Sequence, residues 1–341
     1  MKWKTYLIGL AVAVAAMGML GGCGSSSNTA SHEKAPITTT EGTDEGAVLR
    51  IAAQPYPLYT TVYVAHNLGY IDEELQKIGA KETWTEFKSG PLVNEAVAAG
   101  EADLGFMADL PAIIAKSQGH DISVVSNIAY GEKALAVLVP TDSSIQSVAD
   151  LKGKKVAYAK GSYAQHLLAL LLEKQGFTLD DVQTVNLNAA EQVTALTTHE
   201  VDAIVIWEQY ITKLTSTGQA KVLADGTGIK RGNMINYFVT DYADKHPLVV
   251  LAYLRALNRA NEFIKQHPDQ AAEATYKNFN VSKEEMAKIL KNLTFTTALT
   301  EEDVQAITDV KDFSKKAGII QDDVNINDFI DQRYLDALQK K

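Results

Sequence analysis

The sequence predicts an α/β chain folded as two lobes, each built on a doubly wound sheet, with a two-strand hinge between them and a helical C-terminal region. Three observations carry this. Short β-branched runs alternate with amphipathic helical stretches from Val48 onward, the alternation starts afresh near Ala134, and beyond INYFVTD, which ends at Asp241, the chain reads as almost wholly helical.

In order, VLRIAAQ (Val48 to Gln54) is a first strand and TVYVAHNLGYIDEELQKIG a helix. WTEF (84–87), ADLGFM and ISVVSNIA are strands, separated by the helices PLVNEAVAAG and LPAIIAKSQG. Such βα alternation implies a mainly parallel sheet with helices on both faces and ligands outside the carboxyl ends of the strands. The second series runs ALAVLVP, a short DLKG helix, KVAYA, the helix AQHLLALLLEKQGF, TVNLN, the helix AAEQVTALTTH, DAIVIW, a helix from EQY, and AKVLAD. In AQHLLALLLEKQGF the leucines at 167, 168, 171 and 172 keep helical spacing and form one core-facing stripe. Crossings near Ala134 to Pro140 and near Asn236 to Asp241 bracket the second series. Residues 47–135 and 238–341 are therefore expected to form a discontinuous first lobe and residues 136–237 a second, with a cleft between them.

Ahead of this domain, Lys2 and Lys4 precede the apolar run Tyr6 to Leu20, so residues 1–22 read as a secretory signal. The signal ends Leu20-Gly21-Gly22-Cys23, which resembles the bacterial lipobox, where the cysteine receives a lipid. Cys23 is the sole cysteine, so no disulfide supports the fold. Residues 23–46, rich in Ser, Thr, Glu and Gly, cannot bury enough apolar surface to offset their ordering and read as a flexible tether.

Charge and motif content narrow the function. The chain has 32 basic and 42 acidic residues, a formal net charge of −10. That balance argues against nucleic acid and against a polybasic grip on anionic lipid, though a cleft can carry a local field of opposite sign. There is no Walker sequence, and GTGIKRG (226–232) has the wrong glycine spacing for a dinucleotide loop. The histidines at 32, 66, 120, 166, 199, 246 and 267 form no i, i+3 or i, i+4 pair, so neither a metal nor a cofactor is expected. No nucleophile elbow occurs, and no catalytic residue is assigned.

Three strand-to-helix turns remain. Ser89-Gly90-Pro91, Ala108-Asp109-Leu110-Pro111 and Lys160-Gly161-Ser162-Tyr163-Ala164-Gln165 each place unpaired backbone N–H groups and a positive helix end at the carboxyl edge of a strand. Converging on one cleft, they suit an anion. Ser162 with Gln165 also fits a capping box, so its hydroxyl reads equally as the cap of its own helix. Gln54 and Tyr56 end the first strand, and Trp207 and Glu208 end DAIVIW. Aromatics with a few polar groups line small-molecule clefts. A Glu208 facing the cleft would pair with an amine on the ligand, whereas one at a helix start simply opposes its dipole.

The series SGPLVNEAVAAGEADLGFMADLPAIIAKSQG, VADLKGKKVAYAKGSYAQHLLALLLEKQGFTLDDVQTVNL and VDAIVIWEQY resembles the substrate-binding proteins of ABC importers for nitrate, taurine and aliphatic sulfonates, a group similar to the thiamine-pyrimidine synthases. The resemblance implies a type II periplasmic-binding fold whose lobes close around a ligand and deliver it to a permease and its ATPase. It implies a monomer held on the outer face of the cell membrane through lipidated Cys23. It carries over Ser89, Gly90, Asp109, Gly161, Ser162, Trp207 and Glu208 as site residues, with Gln54, Tyr56 and Tyr163 beside them. Two departures stand out: Ala108 replaces a common glycine, and Glu208-Gln209 replaces an Asp-Pro pair. The expected function is a non-enzymatic receptor for a small organic anion, an aliphatic sulfonate or taurine. A thiamine-precursor pyrimidine or another aromatic ligand, or an enzyme on the same fold, are the alternatives.

Overall fold

The computed structural model describes residues 35–38 and 41–339, so the signal-like segment, Cys23 and much of the expected tether lie outside the described residues. The end of that tether is corrected: chain order begins before Ala47. The Asp44 amide donates to the Ile78 carbonyl at 2.6 Å, its carboxylate lies 3.0 Å from His246 Nδ1, and Ile37 packs half-buried against the core.

Among the described residues eleven strands form two sheets. They are β1 (Val48–Ala53), β2 (Lys81–Glu86), β3 (Leu104–Ala108), β4 (Ile122–Tyr130), β5 (Leu135–Pro140), β6 (Lys155–Tyr158), β7 (Gln183–Asn186), β8 (Ala203–Trp207), β9 (Ala220–Asp225), β10 (Met234–Val239) and β11 (Thr294–Phe295). The first sheet has the order β11-β4-β10-β3-β1-β2 and the second β7-β6-β8-β5-β9. The expected mainly parallel sheets are in fact mixed. β1 runs parallel to β2 and β3, but β10 lies antiparallel between β3 and β4. In the second sheet β6 is parallel to β7 and β8 while β5 is antiparallel to β8 and β9. The cause is the route of the chain, which leaves the first sheet along β4 and returns along β10, so the return strand must enter in the opposite sense.

Helices fill both faces. The leucine stripe at 167, 168, 171 and 172 is buried on the helix Tyr163–Glu173, each side chain contributing about 1.5–3 kcal/mol of burial. Helix Pro247–Gln266 buries Val249, Val250, Leu251, Leu254 and Leu257 completely. The single helix expected over 61–79 is instead two, Thr60–Asn67 and Tyr70–Gln76. The break falls at Gly69, whose φ of 75° belongs to the left-handed region open to glycine.

The two crossings between sheets lie side by side. The Gly131 amide donates to the Arg231 carbonyl at 3.1 Å, and the Gly226 amide to the Glu132 carbonyl at 2.9 Å. A Cβ on Gly226 would sit 2.6 Å from the Glu132 carbonyl oxygen and 2.9 Å from that of Lys230, closer than packed atoms approach. Gly226→Ala is therefore expected to destabilise the protein by about 1–3 kcal/mol through forced backbone displacement, read as a lower urea midpoint at unchanged slope.

Candidate ligand-binding site

β1, β2, β3, β6, β7 and β8 end at one place, and the residues at and after their ends enclose a cavity of about 200 Å³. That is smaller than the roughly 300–1,000 Å³ of drug-sized sites, so the occupant is a small molecule. Gln54, Tyr56, Ser89, Gly90, Gly161, Ser162, Tyr163 and Trp207 all border it. Asp109 and Glu208, also singled out in the sequence, do not. The Asp109 carboxylate turns behind the cavity, accepting from Lys230 Nζ at 2.9 Å and from the Leu110 amide at 2.8 Å. Glu208 is fully buried and accepts from Asn292 Nδ2 at 2.7 Å and the Thr212 amide at 3.1 Å. Burial pushes its carboxyl upward despite those donors. It joins the end of β8 to the Leu290–Asn292 turn rather than waiting for an amine.

Hydrogen-bond bookkeeping decides which helix ends can serve a ligand. Ser89 is the N-cap of the helix Gly90–Ala98, yet its hydroxyl makes no capping bond and has no partner among the described residues. The Gly90 amide, first in that helix, is likewise unpaired; Pro91 supplies no N–H. At the helix Asp109–Ser117 the donors are spent: the Asp109 amide goes to the Asn233 carbonyl at 3.2 Å, the Leu110 amide to the Asp109 carboxylate, and Pro111 has none. This turn gives the cavity its walls, Ala108 and Pro111, but no donor.

The third turn departs from its expected capping box. Ser162 Oγ donates backward to the Ala159 carbonyl at 2.6 Å, and Gln165 Oε1 accepts from the Gly161 amide at 2.9 Å. The Tyr163 and Ala164 amides at this helix start are left open. A fourth helix end, Ala189–Thr197, reaches the cavity through Asn188 and Ala189, with the Asn188 side-chain Oδ1 capping the Glu191 amide at 3.0 Å. Sequence reasoning missed this residue although the box Asn188–Glu191 was written in the chain. It also missed Lys88 and Lys160, both exposed and both bordering the cavity.

The remaining wall is apolar and aromatic. Tyr56 meets Trp207 edge to face at 6.3 Å, and Tyr163 tilts against Trp207 at 5.8 Å. Tyr56 Oη donates to the Lys88 carbonyl at 2.8 Å, fixing its ring, and burial pushes its phenol up to about 12, so it stays neutral. Gln54 Nε2 donates to the Phe106 carbonyl at 2.6 Å, which leaves the amide oxygen for the cavity. Across the whole lining there are two lysines and no carboxylate. In a chain of net charge −10, the cavity carries the opposite local field.

The family model described as NMT1/THI5 like matches residues 57–271. The chain belongs to that family. A Bacillus subtilis (strain 168) relative that bears the name of an aliphatic sulfonates-binding protein is 29% identical over 96% of this chain and 95% of its own length. The alkanesulfonate-binding protein SsuA of Xanthomonas axonopodis pv. citri, solved bound to MOPS, superposes with a TM-score of 0.77 at 26% identity, covering 84% of this chain and 99% of that one. The periplasmic aliphatic sulphonate binding protein SsuA of Escherichia coli gives 0.75 at 28% identity, with 84% and 93% covered. The two-sheet architecture of this NMT1/THI5-like chain is that of these periplasmic binding proteins.

Behind the cavity, Lys230 Nζ also donates to His166 Nδ1 at 3.1 Å. Burial, and then the neighbouring ammonium, lower His166 to about 2, against about 6.5 in an unfolded chain. Below pH 6.5 the unfolded state takes up a proton that the folded state refuses. The His166 contribution is thus complete above about pH 6.5 and is lost as pH falls, by up to about 1.4 kcal/mol per pH unit. Urea unfolding from neutral pH down to about pH 4.5 is expected to decline more steeply for the native protein than for His166→Leu.

Proposed function

We propose that this protein is the solute-binding component of an ABC importer and that it captures an aliphatic sulfonate. The observation that carries the reading is the lining of the cavity: open helix ends at Gly90 and Tyr163, the free Ser89 hydroxyl and the Lys88 and Lys160 ammoniums, with no carboxylate. Backbone N–H groups at a helix start bind an anion through both hydrogen bonds and the helix dipole. A sulfonate offers three oxygens to such donors, and its alkyl tail then lies against Tyr56, Tyr163 and Trp207. The names borne by relatives over nearly the whole chain support the same ligand class.

Capture works by closure. The Ser89–Gly90 end belongs to the first-sheet half and the Tyr163 end to the second-sheet half, so a ligand contacting both binds fully only when the halves, residues 47–135 with 238–341 against 136–237, are together. Binding then shifts the equilibrium toward the form that a permease recognises. The protein acts as a carrier without turnover, exported and held at the membrane surface by a lipid on Cys23, as a monomer. Taurine fits this cavity less well than a plain alkanesulfonate. Its ammonium would enter a site with two lysines and no carboxylate to pair with it.

Two calorimetric titrations test this. Pentanesulfonate is expected to bind more tightly than taurine, by about ten-fold or more, since an unpaired ammonium near like charge costs at least 1.4 kcal/mol; equal affinities would remove the argument from the lining. Ser89→Ala is expected to weaken pentanesulfonate by about 1–2 kcal/mol, whereas Ser162→Ala, whose proton is already given to Ala159, stays within about 0.5 kcal/mol of the native protein.

A further inference from the structure

Behind the ligand cavity lies a second cavity of about 340 Å³ that ligand capture does not use. Its wall contains a charged cluster as buried as the core: the Lys230 and Asp109 side chains are 3% and 1% exposed. Lys230 belongs to the crossing between β9 and β10. Its ammonium donates to Asp109 Oδ2 at 2.9 Å and to His166 Nδ1 at 3.1 Å. The two acceptors come from opposite halves. Asp109 opens the helix 109–117 of the first-sheet half, directly after Ala108, which lines the ligand cavity. His166 lies one turn into the helix 163–173 of the second-sheet half, directly behind Tyr163, which lines it too. One ammonium on a hinge crossing thus grips, from behind, two helices whose ends form the site.

These bonds are unequal. Asp109 is an ion-pair partner whose other oxygen is fixed to the Leu110 amide, and separating a buried pair leaves an uncompensated charge. His166 is a neutral acceptor, and its ring also crosses between the halves, stacking on Phe313 of the first-sheet half at 4.3 Å and 24°. If the two halves part, Lys230 stays with Asp109 and the bond to His166 breaks. An N–H···N bond of 3.1 Å does not survive even an ångström or so of separation.

We propose that Lys230 is a closure latch: a positioning residue that touches no ligand, bonds both halves only in the closed state, and so sets the affinity for every ligand by a common factor. The latch rests on the reading that the halves close around an anion. Its signature differs from that of a residue touching ligand, because the loss falls on closure alone.

His166→Leu tests it while sparing the ion pair and the lining of the ligand cavity. Calorimetry with ethanesulfonate, pentanesulfonate and octanesulfonate is expected to give the same loss for all three, about ten-fold, as for one hydrogen bond from a charged donor. Small-angle X-ray scattering of the ligand-free variant is expected to give a larger radius of gyration than the native protein. His166→Asn, which returns an acceptor near the position of Nδ1 without the ring that stacks on Phe313, is expected to recover most of both losses. Native affinity in the leucine variant, or a loss that changes with tail length, overturns the latch. Should His166→Leu not fold cooperatively, Asp109→Asn combined with Lys230→Met removes the ammonium together with its counter-charge and must show the same uniform loss. A native protein that binds none of the three sulfonates overturns the ligand assignment; the ligand-free scattering comparison still decides the latch.

Discussion

The structure depends on one constraint of chain routing. The polypeptide passes from the first sheet to the second and back again, and both passages share one narrow seam. β4 and β10 are antiparallel neighbours in the first sheet, and β5 and β9 are antiparallel neighbours in the second. Between them the connecting backbones hydrogen-bond directly, Gly131 to Arg231 and Gly226 to Glu132. A Cβ on Gly226 would strike the Glu132 and Lys230 carbonyls and one on Gly131 the Asn292 carbonyl, which is why glycine stands at both positions. The same seam fixes what lies near the ligand. Met234 at the start of β10 borders the cavity, Lys230 reaches behind it, and Glu208 at the end of β8 is tied back to Asn292. Everything that bends the molecule passes within a few residues of what binds.

A second consequence concerns donors. A helix start at the carboxyl end of a strand is an anion site only while its amides are unclaimed. Of the four helix starts around the cavity, one is claimed by its own aspartate and a backbone carbonyl, while at the Ala189 start the asparagine cap takes only the Glu191 amide. The open starts come from both halves, Gly90 from the first and Tyr163 and Ala189 from the second. Neither half alone offers a full set of donors, so a ligand has little reason to remain in an open molecule. On the proposed function, closure and recognition are therefore the same event, driven by the difference between one set of contacts and two.

Much of this was legible in the chain. Strands β1 to β10 were, because β-branched runs bounded by turn residues have few other uses, and the restart near Ala134 falls at the start of the second sheet; β11, two residues long, was not and lies in the stretch read as helical. So were the turns that supply most of the cavity. The sense of β10 was not, since strand direction depends on a return path formed over a hundred residues. The misread side chains share one cause. Asp109 and Glu208 sit next to cavity residues in sequence, but their partners Lys230 and Asn292 are 121 and 84 residues away, and a buried carboxylate goes where its donor is. Ser162 has the local signature of a cap, as do Asn188, Ser282 and Thr300, and the latter three do form reciprocal boxes. Ser162 differs because Gln165 turns to Gly161, whose φ of 75° aims its amide at that side chain.

The first two amides of this helix, Tyr163 and Ala164, are open, and the third, Gln165, is given to the Ser162 carbonyl at 3.1 Å. Ser162, its proton donated to Ala159, presents acceptor lone pairs near the site. The Lys160 ammonium, two residues earlier and free of any carboxylate among the described residues, offsets that local negative density. Lys88 stands directly before Ser89 on the other half. The acidic remainder of the surface does not cancel this paired field, because exposed charges beyond about 8 Å are screened at physiological salt. The sign of the cavity is thus decided by its own two turns, and a protein of net charge −10 can hold an anion.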